Sequence, residues 1–425
     1  MVIALFASLV VFFMINIPIA IAIALASIVA IVVQGNIPFI IVVQKMFTAT
    51  DSFPLMAVPF FILGGSLMEY GGISRRLVDF AYSIVGKAHG GLALVAIIAS
   101  MFFGAISGSA AATTAAIGSI LIPAMVRKGY DRKYSTAVQA AAGTLGVMIP
   151  PSIPLVIYGV LTGVSIGALF MGGIVPGILV GITLMVVASR IAKKRGYSGD
   201  EKPSFQRIAY SFKNAILALL MPLIILGGIY GGVFTPTEAA VVAVVYGFIV
   251  GFFIYRELKL KDLWNILVNT VVSTSVIMLI IATASVFGWI LASQQVPQLV
   301  AKTILSFSTN PIIILALVNI LLLFLGTFME TVAAIIIVVP VLLPIITQIG
   351  VDPLHFGLIV VVNLAIGMVT PPLGVCLFVG CGISDITLED ISRAVWPFLI
   401  AMIIDILIIT YVPAVSTFLP RMLGM

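Results

Sequence analysis

The chain has 425 residues, 62% hydrophobic and only 8% charged, against roughly 25% charged in soluble domains, so a soluble globular fold is excluded. Its net charge of +6 would point a soluble protein toward nucleic acid; here the cations mark topology, and no nucleic-acid partner is expected. Long unbroken apolar runs such as Ile19 to Val33 and Ile312 to Leu325 exclude the alternating pattern of a membrane barrel, which leaves an all-α polytopic protein.

In chain order, apolar spans are predicted at 2–15, 18–34, 54–70, 134–161, 168–190, 211–232, 236–255, 270–292, 354–381 and 394–418. Paired apolar segments occupy 90–126 and 311–347. The N-terminal run lacks a basic flank and a small-residue cleavage site, so it is read as retained helix, either as two helices or as one long tilted helix over Met1 to Val33.

Because each paired segment returns to the side it left, the cations can be sorted by side. Arg75, Arg76, Lys87, Arg127, Lys128, Arg132, Lys133, Arg190, Lys193, Lys194, Arg195, Lys202, Arg207, Lys213, Arg256, Lys259, Lys261 and Arg393 share one side, whereas Lys45, Lys302 and Arg421 hold the other. The crowded side is the cytoplasmic one, which puts both termini outside.

Shifting the chain on itself by 221 residues aligns Pro123 with Pro344, Gly129 with Gly350, Asp131 with Asp352, Gly146 with Gly367, Pro150-Pro151 with Pro371-Pro372, Gly159 with Gly380 and Pro176 with Pro397. Matches at turn-forming and helix-breaking residues indicate an internal repeat, and the charge map makes the halves inverted in topology. The first repeat is predicted over 1–210, with scaffold helices 1–70, an arm 71–87, a hairpin 90–126 and a broken helix 134–161. The second covers 211–425, with scaffold helices 211–292, an arm 295–309, a hairpin 311–347 and a broken helix 354–381. Leu77, Phe80, Ala81 and Ile84 in one arm, and Val296, Leu299, Val300, Thr303 and Ile304 in the other, follow helical spacing.

Each broken helix is interrupted by tandem prolines. Pro150 and Pro151 remove the amides that would bond the Gly146 and Val147 carbonyls, and Pro371 and Pro372 do the same for Gly367 and Met368. Freed carbonyls within a membrane need protein, water or an ion; a small cation and a simple kink satisfied by a neighbouring hydroxyl are the two readings. The paired segments turn at Gly104-Ala105-Ile106-Ser107-Gly108-Ser109 and Gly326-Thr327-Phe328-Met329-Glu330-Thr331, with short arms and without the cations expected of exposed loops, as re-entrant hairpins do. Helix C-termini at such tips offer carbonyls to a cation, and the returning N-termini offer amides to an anion.

Other polar residues have plainer readings. Thr235-Pro236-Thr237-Glu238 forms a capping box, and Cys376 and Cys381 are core residues with no zinc site expected. Asp405, mid-span in the last long run, is open between a proton or cation relay, a partner contact and a local hydroxyl pairing. No G-x-x-x-x-G-K-[S/T] run is present and no protease constellation assembles, so the chain is not expected to be an enzyme.

Ser107-Gly108-Ser109 with Ala112-Thr113, Ile122-Pro123-Ala124-Met125, Pro150-Pro151-Ser152 and Thr235-Pro236-Thr237-Glu238-Ala239-Ala240 resemble the large membrane subunit of tripartite ATP-independent periplasmic (TRAP) transporters, over essentially the whole chain. The resemblance implies a sodium-driven elevator importer in the bacterial inner membrane, with Na+ as coupling ion. Its implied partners are a small four-helix membrane subunit, expected on a separate chain, and a soluble periplasmic substrate-binding protein. Organic acids are the implied substrates, sialic acid favoured over a C4-dicarboxylate. Carried onto this sequence, the first sodium site falls on Gly104, Ser107, Gly108, Ser109, Gly143, Gly146, Val147 and Pro150, and the second on Gly326, Met329, Glu330, Gly367, Met368, Val369 and Thr370. The substrate is expected between the tips, at Ser109, Thr113, Pro151, Ser152, Thr331 and Pro372. A self-sufficient sodium–carboxylate carrier and a channel are the alternatives.

Overall fold

The computed structural model describes residues 1–85, 88–197, 204–307 and 310–425, with the side chains of 304–307 excepted. Lys87, Lys202, the side chain of Ile304 and residues 308–309 of the predicted second arm therefore lie outside the described residues. The helices are α1 (Val2–Met14), α2 (Ile19–Gln34), α3 (Ile40–Thr50), α4 (Ala57–Tyr70), α5 (Ile73–Val85), α6 (Gly91–Ser107), α7 (Ala110–Arg127), α8 (Arg132–Gly143), α9 (Leu145–Met148), α10 (Ile153–Thr162) and α11 (Ile166–Lys194). They continue as α12 (Phe205–Tyr230), α13 (Pro236–Ile249), α14 (Leu260–Ser293), α15 (Val296–Phe307), α16 (Pro311–Phe328), α17 (Thr331–Gln348), α18 (Pro353–Gly367), α19 (Val375–Ser384), α20 (Leu388–Tyr411) and α21 (Ala414–Met422).

Among the described residues, ten helical segments are long and apolar enough to cross a membrane. Their outer faces are apolar as well: Ile312, Leu317, Ile320 and Phe324 on α16 and Trp264, Val271 and Val272 on α14 are exposed, a surface that lipid tolerates and water does not. The protein is a multi-pass membrane protein.

Sequence and structure part in several places. The start of the chain forms two helices packed against each other, with Ile17-Pro18 in the turn between them, and not one tilted helix. Helix α3 has no counterpart among the predicted spans, because it is short and carries Gln44 and Lys45; Ser285 on α14 donates to the Lys45 carbonyl (2.9 Å) and ties it to the bundle. Helix α14 begins at Leu260 and not at 270, since the Asp262 carboxylate accepts the Lys259 amide and caps it before the apolar run starts. The final predicted span divides at Val412-Pro413 into α20 and α21. Helix α12 starts at Phe205, so the predicted division at 210 falls inside its first turns.

Both arms are helical, but their buried faces are narrower than the periodicity implied. Leu77, Phe80 and Ala81 are buried whereas Ile84 is exposed, and among the described side chains of α15 Val296, Pro297 and Ala301 are buried, with Leu299 and Thr303 turned outward. In a membrane protein an apolar edge turned outward can face lipid, so helical spacing alone overstates how much of such a helix is packed against protein.

Between helices in lipid, close backbone approach supplies the stability that water-driven collapse supplies elsewhere. The α4–α13 contact shows it: a methyl at Gly64 would sit 3.4 Å from the Ala243 Cβ, and one at Gly251 would sit 3.1 Å from the Gly71 Cα. Helices α4, α12 and α13 and helices α2, α3 and α14 pack as neighbours, forming one side of the molecule. On the other side the two halves interlock: α10 packs on α17, while α19 packs on α7 and α8. Ion pairs join the cation-bearing ends, Arg76 with Glu257 (2.6 Å), Lys133 with Asp390 (2.6 Å) and Arg195 with Asp131 (3.3 Å).

Candidate functional site

Helices α6 and α7 meet through Gly108 and Ser109, and α16 and α17 through Met329 and Glu330; every arm has 17 or 18 residues, about 25–27 Å of helix. Gly108 sits at φ +61, the left-handed region that glycine enters without penalty, and turns the chain there. The Ser109 side chain caps the Ala112 N–H, loosely at 3.4 Å, while in the second tip the Glu330 carboxylate caps Val332 (2.8 Å) and Ala333 (3.3 Å).

Each tip touches the broken helix of its own half through a pair of glycines. A Cβ on Gly104 would lie 2.8 Å from the Gly146 Cα, and one on Gly367 would lie 2.5 Å from the Gly326 Cα. Gly143 stands closer still to the Thr114 side chain, and Gly146 also faces the Ser109 carbonyl. The structure thus brings Gly104, Ser107, Ser109, Thr113, Gly143, Gly146 and Val147 into one neighbourhood, and Gly326, Thr331, Gly367 and Met368 into another.

The oxygen atoms of the first neighbourhood are densely placed. The Ser107 and Thr113 hydroxyls are 2.9 Å apart, and Thr113 Oγ1 donates to the Ser109 carbonyl (2.8 Å). In the second, Thr331 Oγ1 lies 3.1 Å from Met368 Sδ, Thr370 Oγ1 donates to the Ile366 carbonyl (2.8 Å), and the Gly374 amide donates to the Thr327 carbonyl (3.2 Å).

The freed carbonyls are less bare than proline alone implies. Val147 accepts from the Ser152 hydroxyl (2.6 Å), Gly367 from the Thr370 amide (2.9 Å) and Met368 from the Cys376 amide (3.0 Å). Each of these carbonyls retains its second lone pair. The Pro150–Pro151 and Pro371–Pro372 bonds are both cis.

A cavity of about 270 Å³ lies between the tips. Ser107, Gly108, Ser109 and the first turn of α7 (Ala110, Ala111, Ala112) line one side, and Glu330, Val332 and Met368 line the other. Of the residues expected to hold substrate, Ser109 reaches this cavity. Thr113, Thr331 and Ser152 are fully buried with their hydroxyls engaged elsewhere, Pro151 is buried, and Pro372 is exposed outside the cavity lining. Pro150, Met329, Val369 and Thr370 are likewise absent from the lining. Ser152 holds the kink instead.

Sequence reasoning missed the remaining wall. Ile62, Gly65, Ser66 and Glu69 are one face of α4, and Ser273 and Ile277 come from α14. The i, i+3, i+4, i+7 spacing on α4, ending in an acid inside an apolar run, was the available signal. Gly65 lets α4 approach the tip: a Cβ there would stand 3.2 Å from the Ser107 Cα.

Asp405 lies apart, buried on α20, where one carboxylate oxygen accepts from Thr183 on α11 (2.9 Å) and the other has no protein partner among the described residues. Glu238 completes its capping box with the Thr235 amide (2.8 Å).

The chain was compared with known proteins. It is 48% identical over 408 residues to the isethionate TRAP transporter permease protein DctMQ of Oleidesulfovibrio alaskensis, covering 96% of this chain but 64% of that longer protein. It is 44% identical over 381 residues to the C4-dicarboxylate TRAP transporter large permease protein DctM of Pseudomonas aeruginosa, covering 90% of this chain and 89% of the relative. To the sialic acid TRAP transporter large permease protein SiaM of Vibrio cholerae it is 43% identical over 379 residues, covering 89% of each. In fold it resembles the crystal structure of the YdaH transporter of Alcanivorax borkumensis, with a TM-score of 0.60 over 87% of this chain and 86% of that one at 15% identity. With residues 6–415 matching the model of the tripartite ATP-independent periplasmic transporter, DctM component, the chain belongs to that family and is a TRAP transporter large permease.

Proposed function

We propose that this permease imports an organic anion across the bacterial inner membrane by alternating access, coupled to sodium, with the anion held between the two tips. The observation that carries the reading is the cavity itself, bounded by both hairpin tips and by α4 and α14 from the opposite side of the molecule. A site shared between two packed layers is what a transport cycle needs, because sliding one layer past the other changes its access. In this reading the halves are inverted repeats, and the hairpins with their broken helices form the moving elevator layer.

The polarity of the cavity fits such cargo. The first turn of α7 presents a positive helix end capped by a neutral serine, which favours an anionic head group. The amide end of α17 is occupied by its own Glu330 carboxylate, so the second tip is the poorer anion site. A hard cation takes oxygen ligands, and the residues present fit one: Ser107, Thr113 and the Ser109 and Val147 carbonyls beside the first Gly–Gly contact, and the Thr331 hydroxyl with the Gly367 and Met368 carbonyls beside the second. These residues would hold sodium, which supplies the electrochemical driving force.

The relatives named above share an anionic group, sulfonate in isethionate and carboxylate in the dicarboxylates and sialic acid. Sialic acid is the favoured substrate in this proposal. The proposed partners are a small four-helix membrane subunit and a soluble periplasmic binding protein that delivers the anion. Uptake of labelled sialic acid, succinate or isethionate into proteoliposomes, with and without a sodium gradient and with each partner added or withheld, tests every part. Accumulation of sialic acid that requires the gradient and both partners is expected; uptake indifferent to sodium and partners would overturn the reading.

A further inference from the structure

A second cavity, of about 690 Å³, lies away from the tips, where the start of α5, the start of α12 and the segment after α13 come together. Its lining is strongly charged. Arg75, Arg76, Arg207 and Lys213 face Asp79 and Glu257, four cations against two carboxylates. Glu257 is already committed: it pairs with Arg76 (2.6 Å), whose guanidinium also lies 3.7 Å from the centre of the Tyr255 ring. Asp79 lies within electrostatic reach of Arg75, Arg207 and Arg76. With Arg207 left aside, since its guanidinium stacks on the Tyr82 ring (5.1 Å), Arg75, Arg76 and Lys213 still outnumber the two carboxylates, with Tyr210, Ser211 and Asn214 as further hydrogen-bonding groups.

A second feature adjoins it. Val241, Val245, Ile249 and Phe253 recur every four residues along α13 and its continuation, all exposed, from 39% at Val241 to 59% at Phe253. That apolar stripe ends beside Ile254, which is itself exposed and lines the charged cavity. A cationic cavity at the end of an exposed apolar stripe matches an amphiphile, with an anionic head and hydrocarbon tails. A free anion would account for the cations alone, whereas an amphiphile accounts for the cavity and for the lipid-facing stripe that runs into it.

We propose that this cavity binds the phosphate head group of an anionic phospholipid, whose acyl chains lie along the Val241–Phe253 stripe. Basic pockets between membrane helices on the cytoplasmic side take such head groups, each nearby cation adding to affinity. The leaflet follows from the orientation read from the cation count; the binding itself does not depend on it, nor on the transport cycle. Bound there, the lipid bridges α5, which leads into the first hairpin, and α12 on the packed side opposite the hairpins.

The test uses the purified, delipidated full-length chain and native mass spectrometry, titrating phosphatidylglycerol and phosphatidylcholine separately. Phosphatidylglycerol should bind about tenfold more tightly than phosphatidylcholine, and Arg75→Gln with Lys213→Gln together should remove most of that preference. The equally neutralising pair Lys193→Gln and Lys194→Gln, outside the cavity, should keep it. Equal binding of the two lipids by the unaltered chain overturns the proposal without recourse to any variant. So does phosphatidylglycerol preference that survives Arg75→Gln and Lys213→Gln, or displacement of the lipid by millimolar inorganic phosphate, which would assign the cavity to a free anion. Retained phosphatidylcholine binding by the variant shows that it is folded.

Discussion

The two hairpin tips share a backbone plan and differ in chemistry. Both press a glycine of the incoming arm against a glycine of the broken helix, Gly104 on Gly146 and Gly326 on Gly367. The first tip then turns through a left-handed Gly108 and caps with a neutral serine; the second turns through extended Met329 and caps with a carboxylate. The breaks diverge in the same way, held by the Ser152 side chain in one half and by backbone amides in the other. Close backbone contact is what the two halves hold in common, and the side chains around it end one tip in a neutral serine cap and the other in a carboxyl one.

The largest effect should come from filling the shared feature. Gly367→Leu and Gly146→Leu should each reduce sodium-dependent uptake by about 100-fold or more, because displacing a tip by an ångström removes the ligand geometry. Alanine separates the halves. At Gly367 the new methyl meets Gly326 backbone atoms at 2.5–3.0 Å and nothing can yield, whereas at Gly146 part of the obstruction is the Thr113 side chain. Overpacking costs about 1–3 kcal/mol, so Gly367→Ala should lose more uptake than Gly146→Ala at equal membrane expression. Wild-type uptake in both leucine variants would remove the tips from the mechanism.

Altering the tips' chemistry should matter less than filling their contacts. Glu330→Gln keeps a carbonyl acceptor for the α17 amides and deletes only the charge. Uptake in proteoliposomes should fall by about tenfold and need more sodium for half-maximal rate, as expected for a lost charged group in a low-dielectric site. Ser109→Ala removes a loose cap on an end already favourable to anions, and should cost about threefold or less. If Ser109→Ala proved the more damaging change, the assignment of opposite polarities to the tips would be reversed.

How much of this was legible in the sequence follows from the kind of force each element depends on. Tandem prolines, turn glycines and cap residues act locally, so the broken helices, the hairpin turns and the Glu238 capping box could be read from the residues themselves. Helix α3 could not, because its eleven residues are placed by contacts such as that with Ser285 on α14 and not by hydropathy. Glu69 and Ser273 at the cavity are harder to read for a related reason: their role comes from which helices pack across from the tips, and the acid-ended stripe on α4 marks a polar face without saying what it faces. Ser152, expected with the substrate between the tips, is a buried hydroxyl beside a freed carbonyl and is first of all its hydrogen-bond partner.

Ser152→Ala tests that last point and the divergence of the breaks together. The Val147 carbonyl would lose its hydroxyl donor in a buried setting, at a cost of about 1–3 kcal/mol. Position 373, which the 221-residue shift sets against Ser152, is an exposed leucine, and Leu373→Ala should shift stability by about 0.5 kcal/mol or less. Thermal unfolding in detergent would show the pair unequal; equal shifts would mean that the first break is held by something other than Ser152.

Where the halves are built alike, the effects should be small and matched. Helix α7 ends with the Tyr130 amide on the Met125 carbonyl (3.0 Å), and α17 ends with the Val351 amide on the Ile346 carbonyl (3.1 Å). In both, the intervening glycine is left-handed, Gly129 at φ +82 and Gly350 at φ +78, with open space where a Cβ would go. The aspartate two residues later caps the next helix, Asp131 to the Tyr134 amide (2.8 Å) and Asp352 to the Leu354 amide (2.9 Å). Alanine at either glycine meets no atom, so the cost is conformational alone, about 1 kcal/mol. Gly129→Ala and Gly350→Ala should therefore lower the unfolding temperature by the same small amount and leave uptake intact, although Asp131 also pairs with Arg195 and, among the described residues, only the first turn has that support. A markedly larger loss at Gly350 would show that the ion pair buffers the first turn, and that the likeness of the halves ends at the backbone.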